Sequence, residues 1–237
     1  MSDLRKIQAH LGVPADGLLG PATLAAIAKA LGLSEPRHAL ARPADFFAAV
    51  RKITGPLDNT QVATINGLLE AAAHWPIGWL AYGFATAWGE CKLRPIDEIG
   101  KGHGKAYGKP GARMKAVPNP PSYGGQIPYG RGLVQLTWCD NFEWADKVCA
   151  EAGLIKKGDI LANFDLVKRP DIAAFILVKG METGAFTGKK LADYITARGS
   201  PVEFVPARRI INGNDKAAQF GGYAEGFLVA LDAGGYA

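Results

Sequence analysis

The chain has 237 residues, 48% of them hydrophobic and 21% charged, which suffices for one large core beside a small module and excludes a disordered chain. A formal charge of +5 and a sequence pI near 9.1 fit an anionic partner, whether nucleic acid, an anionic polymer or a membrane surface. The N-terminus, MSDLRKIQAHLG, has no apolar run of the kind a secretory signal needs, so synthesis in the cytoplasm is expected.

Residues 3–33 read as a unit of their own. Leu4, Ile7, Gln8 and Leu11 mark one face of a short helix, and VPADGLLGP is a turn-rich connector. Thr23 is placed to cap a second helix carrying Leu24, Ile27, Ala28 and Leu31. The strings IQ, LGV, ADG and GPATLAAI resemble the small peptidoglycan-binding modules found beside cell-wall hydrolases. That resemblance implies wall contact around Asp16, Gly17, Leu19 and Gly20. A helical hairpin that binds nothing fits the same pattern. The Pro-, Arg- and Ala-rich SEPRHALARPA follows, which places the module at 1–34, a linker at 35–44 and a main domain at 45–237.

Helices are expected in the main domain from Asp45 (DFFAAVRKI) and from near Asp58 (DNTQVATINGLLEAAA). Between Ala71 and Trp88 there is no Asp, Glu, Lys or Arg. Pro76, Gly78, Gly83 and His74 interrupt that run and argue against a membrane span. The better reading is a buried helix from near Ile77, with Leu80, Phe84 and Trp88 at four-residue spacing. Pro95 disfavours helix at Arg94, so it stops by about Leu93.

Glu90 then falls in the last turn of the buried helix, and Glu98 lies beyond Pro95 in a segment bounded by glycines and lysines. Burial and the helix dipole work against charge on Glu90, whereas water and nearby cations favour it on Glu98. Two carboxyls in such unlike surroundings suit an acid and a base at one site. A plain helix end and a solvated loop residue satisfy the same spacing.

Lys92, Arg94, Lys101, Lys105, Lys109, Arg113 and Lys115 follow Glu90 closely, against only Asp97 and Glu98. The Gly- and Pro-rich stretch from Gly100 to Pro128 is long for a loop inside a domain, and such loops are often functional. It is expected to bring Tyr107, Tyr123 and Tyr129 near the carboxylates, where aromatic rings suit the apolar faces of sugars; a solvated surface loop is the alternative. In GLVQLTW, alternation puts Leu133, Gln135 and Thr137 on one side of an extended run and Val134, Leu136 and Trp138 on the other. Asp140 reads as the N-cap of the next helix.

Further on, Pro170 begins a helix, Lys189 to Ala197 forms another, and Ala217, Phe220, Ala224, Phe227 and Leu231 mark a terminal amphipathic one after the NGND break at 212–215. Cys91, Cys139 and Cys149 make an odd count without CxxC spacing, as in a reducing compartment. No local motif supports a nucleophilic Cys91 with His103. The four histidines, His10, His38, His74 and His103, lack ligand spacing, so no metal or other cofactor is expected.

Five strings, in order over about 45–232, resemble family 19 glycoside hydrolases in the branch of chitinase-like bacteriophage lysins. They are AWGEC, RPIDEIGKG, YGRGLVQLTW with Asn141 after it, PDIAAFILVKGMETGAFTGKKLADY and ARRIINGNDKAAQFGGYAEGF. The resemblance implies a mainly α, two-lobed lysozyme-like or chitinase-like catalytic domain with a small β-hairpin, beside the small N-terminal helical module. It implies Glu90 as the general acid, Glu98 as the base that activates water, and Thr137 as a holder of that water. Gln135, Asn141 and Asn212 would bind sugar amides and hydroxyls, next to Tyr107 and Tyr129 from the loop.

The family inverts configuration, which needs roughly 6.5–9.5 Å between the carboxyls. The family's His before the acid is Gly89 here and its Thr after the acid is Cys91, so other groups must orient Glu90. The implied function is that of a monomeric endolysin, made in the host cytoplasm, that cleaves the β-1,4 bonds of peptidoglycan glycan strands as a muramidase after release. It implies no stable membrane insertion, and the charge finds no nucleic-acid motif to support it. Chitin is the rival substrate, and a wall-binding protein with a decayed catalytic domain is the rival class.

Overall fold

The computed structural model describes residues 3–13, 15, 23, 26–27, 30–31 and 38–237, which belong to two compact units, Met1–Arg37 and His38–Ala237. In the smaller unit, α1 spans Asp3–His10. The side chain it buries completely is polar: Gln8 donates through Nε2 to Thr23 Oγ1 at 3.0 Å, while Ile7 of the expected apolar face is 46% exposed. Asp16, Gly17, Leu19 and Gly20, expected to contact the wall, lie outside the described residues, as do 35–37 of the expected linker.

The larger unit is mainly helical. Its elements are α2 (Pro43–Thr54), α3 (Asn59–Ala71), α4 (Ile77–Cys91), β1 (Ile96–Asp97), β2 (Arg131–Gly132), α5 (Cys139–Glu151), α6 (Asp159–Ala162), α7 (Pro170–Thr183), α8 (Pro201–Phe204) and α9 (Ala217–Gly234). Short 3-10 turns at Tyr123–Gly125, Phe164–Lys168, Leu191–Asp193 and Pro206–Ile210 join them.

Helix α4 is the axis of the main core. Every residue from Gly78 to Ala87 is buried, as a charge-free sequence at this length requires. Helix α9 packs on both α4 and α2, with Phe227 stacked on Phe84 at 5.4 Å between ring centres, and α3 packs on α7. A second apolar cluster forms where Phe142 of α5 stacks on Phe164 at 4.1 Å. Helix α7 joins the two, since Leu177 and Met181 enter the first cluster and Ile172 and Ile176 the second. No described helix is long and apolar enough to cross a membrane.

Several ends follow from local chemistry. Asp58 caps α3 as expected: its carboxylate accepts from Gln61 N at 2.8 Å, and Gln61 Oε1 accepts from Asp58 N at 3.0 Å. Helix α4 stops at Cys91 with Lys92 in the left-handed region, within the expected limit. Helix α7 starts on Pro170 and ends at Gly184 with φ 77°.

Other expectations are corrected. Helix α2 begins at Pro43, ahead of Asp45, because proline's fixed φ suits a first helical position. The stretch from His38 to Ala44, read as linker, is part of the larger unit: Leu40 bridges Tyr236, and Arg42 donates to the carbonyls of Ala233 and Asp232 at the end of α9. Within Lys189–Ala197 only Leu191–Asp193 is helical, as a single 3-10 turn. The carbonyls of Ile195 and Ala197 accept from Trp79 Nε1 and Gly78 N of α4. Asp140 is not the cap of α5, which starts at Cys139; its carboxylate accepts from Met114 N at 2.9 Å and pairs with Arg113.

Truncating a fully buried ring between two packed helices leaves a cavity. Phe227→Ala is expected to lower unfolding free energy by about 3–5 kcal/mol, read as a shift of the urea midpoint.

Candidate active site

The last turn of α4 carries Glu90 to the rim of the main core, where its side chain is 19% exposed. The start of α3 pins that end. Gln61 Nε2 donates to the Lys92 carbonyl at 2.9 Å, and Arg94 Nε donates to Asp58 Oδ2 at 2.8 Å. Asp58, holding the Gln61 amide and Arg94, lies below the usual carboxylate range.

Burial of Glu90 is balanced by a cation that the sequence did not point to. Arg208, in the 3-10 turn before the NGND break, is 3% exposed and donates from Nη1 to Glu90 Oε1 at 2.5 Å. Its Nε donates to the Asp215 carbonyl at 3.0 Å, and its guanidinium lies 3.9 Å from the centre of the Phe220 ring. That ring rests against Gly89, where an added Cβ would come within 2.3 Å of two ring atoms. Glycine at 89 therefore leaves room for Phe220, which in turn backs the arginine that holds the carboxylate.

The second carboxylate reaches the same place by strand pairing. Strands β1 and β2 run antiparallel with Ile96 opposite Gly132 and Asp97 opposite Arg131, which sets Glu98 beside Gly130. Glu98 N donates to the Gly130 carbonyl and Gly130 N donates to Glu98 Oε2, both at 2.7 Å. A Cβ on Gly130 would stand 2.9 Å from that Oε2, so the close approach needs glycine. Tyr107 donates its hydroxyl to Glu98 Oε1 at 3.1 Å and sets its ring edge-on to Trp138. Burial, and then the Glu98 hydrogen bond, push the Tyr107 hydroxyl above its usual range. The expected cations do not pair with Glu98 among the described residues: Lys101 goes to Asp97, and Arg113 to Asp140 and Glu143.

Residues 131–136 form a tight turn where an extended run was expected. Arg131 and Leu136 exchange backbone hydrogen bonds across it, and Gly132 and Gln135 take positive φ, which no alternation pattern reveals. Gln135 and Thr137 still face one space. Gln135 Nε2 donates to the carbonyls of Ile96 and Gly132, each at 3.2 Å. Asn141 is not on the cleft wall; its Nδ2 donates to the Thr137 carbonyl at 2.8 Å and so supports that wall from α5.

The result is a cleft of about 650 Å³ lined by Glu90, Ile96, Asp97, Glu98, Ile99, Lys105, Tyr107, Gln135, Thr137 and Asn212. Of the expected site residues it unites Glu90, Glu98, Tyr107, Gln135, Thr137 and Asn212. Tyr129 is 8% exposed and lies behind the cleft, with the Arg131 guanidinium 3.4 Å from its ring centre. Tyr123 is far from the role expected of it: its hydroxyl bonds Glu143 beside Arg113, and its ring packs on Phe164. Arg208, Gly130, Ile96 and Ile99 were not marked by the sequence reading, and only the basic pair in ARRIING offered any signal for the first.

Cys91 is no nucleophile. Its thiol is 5% exposed, donates to the Ala87 carbonyl at 3.3 Å, and is pushed up to about 12 by burial. Among the described residues no group of three His, Cys, Asp or Glu is placed to hold a metal ion.

Two outcomes follow from this geometry. Gly89→Ala should raise stability by helix propensity alone, yet the contact with Phe220 predicts a loss of about 1–3 kcal/mol in urea unfolding. Native protein at pH 8 should show no fast-reacting thiol with a thiol-titrating disulfide reagent, and all three cysteines, buried here, should react once it is unfolded.

Comparison with known proteins finds no matching family model, no matching curated protein and no matching solved structure.

Proposed function

We propose that the cleft hydrolyses β-1,4 glycosidic bonds of an N-acetylated glycan by inversion, and that the glycan is bacterial peptidoglycan. The observation that carries this reading is the meeting, on one cleft, of two carboxylates held by unlike groups. Glu90 is the acid. Arg208 engages its Oε1 and stabilises the carboxylate that forms once the proton has passed to the glycosidic oxygen, and no donor among the described residues reaches Oε2, the oxygen left to carry that proton.

Glu98 is the base. Each of its oxygens accepts one hydrogen bond, from Tyr107 or from Gly130, which fixes the carboxylate and leaves further lone pairs to take a proton from water. Thr137, on the same wall, is the neighbour that holds this water, and Gln135 and Asn212 meet the sugar amides and hydroxyls. The lysozyme-like two-lobed arrangement and the endolysin role, with the N-terminal module near the wall, belong to the same proposal.

Digestion of purified sacculi and of chitin oligomers, followed by mass spectrometry of the products, tests the substrate. Muropeptides ending in reducing N-acetylmuramic acid are expected, and soluble chitin fragments beside intact sacculi would reverse the choice. Glu90→Gln and Glu98→Gln should each keep the fold by circular dichroism and lose about 10²- to 10⁴-fold of the hydrolysis rate. A folded Glu90→Gln protein that clears sacculi near the wild-type rate rules out the acid assignment.

A further inference from the structure

The three carboxylates on the cleft already have partners. Glu90 has Arg208, Asp97 has Lys168 at 2.7 Å, and Glu98 has the donors from Tyr107 and Gly130. The cleft also holds a cation. Between Glu98 and Asp140 the sequence contains no acidic residue, and the basic side chains of that stretch divide into two groups. Lys101, Arg113 and Arg131 are bound to acids from other segments. Lys105, Lys109 and Lys115 are exposed and make no ion pair among the described residues, and of these three Lys105 lines the cleft.

Beside it on the same cleft stand two apolar side chains with little cover, Ile96 at 46% exposure and Ile99 at 101%. A neutral N-acetylated sugar chain offers an unpaired ammonium hydroxyl and carbonyl acceptors but no opposite charge. A glycan whose sugars carry short peptides offers both carboxylates and aliphatic groups.

Resting on the reading of the cleft as a glycan hydrolase, we infer that Lys105, Ile96 and Ile99 form a subsite for a carboxylate-bearing peptide substituent. The enzyme therefore selects an anionic, peptide-substituted glycan over a neutral one. Lys105 attracts the carboxylate and the two isoleucines contact its aliphatic neighbours. The charge contact is exposed to solvent, so its effect on rate is small and falls as salt rises.

The test pairs one substitution with one change in the substrate. Initial release of reducing ends is measured at low salt on sub-saturating sacculi, once native and once after their carboxylates have been converted to amides. Wild type is expected to prefer native sacculi by about 2- to 5-fold, the size of an exposed ion pair. Lys105→Gln should lose that preference and Lys105→Arg should keep it, and the cycle isolates the charge contact from any general effect of the substitution. Ile99→Ser should slow both preparations alike, and unchanged rates there remove the apolar half.

A native-to-amidated ratio that is the same in wild type and Lys105→Gln overturns the charge contact, including the case where Lys105 serves only to balance Glu98. No reducing ends from either preparation with wild type would instead remove the glycan-hydrolase reading, and this inference with it.

Discussion

A helix buried on nearly all sides can end in a carboxylate only if something compensates that charge, and here Arg208 does so from a residue 118 positions away in the chain. An ion pair of this kind adds little net stability, because desolvating both partners offsets their attraction, but removing one partner leaves the other exposed to the full penalty. Its value lies in fixing position. The guanidinium is itself held by the Asp215 carbonyl and the Phe220 face, and Phe220 has its place only because residue 89 has no side chain. Glycine at position 89 is thus part of the support for the carboxylate next to it.

The opposite wall is built by other means. Two residues of β1 pair with two of β2, and this small sheet aligns the backbone of Glu98 with that of Gly130 across the whole intervening loop. Behind it, Arg131 stacks on Tyr129 and bonds Asp165, and Lys168 reaches Asp97, so the second apolar cluster braces the strand pair. One carboxylate is therefore set by helix packing and the other by strand register. The two supports use different parts of the core, and the cleft lies where their ends meet.

The parts legible in the sequence are those with local causes. The extent of α4 followed from its charge-free run and Pro95, and the start of α3 from Asp58. Six of the expected site residues line one cleft. The failures have non-local causes. Alternation in GLVQLTW was misread because Gly132 and Gln135 take positive φ to close a turn against Leu136. Over Lys189–Ala197 a single 3-10 turn stands where a helix was expected, and the carbonyls after it are tied to α4. Tyr123, Tyr129 and Asn141 have the right chemistry for sugars, but Glu143, Arg131 and the Thr137 carbonyl engage them first.

The central claim is that Glu90 and Glu98 act on opposite faces of a sugar ring with water between them, and the stereochemistry of the product reports this directly. Proton NMR of soluble peptidoglycan glycan fragments, recorded during the first minutes of digestion before mutarotation, should show the α-anomer of the new reducing end appearing first. First appearance of the β-anomer would mean retention through a covalent intermediate and would contradict the assignment of Glu98 as a base acting on water.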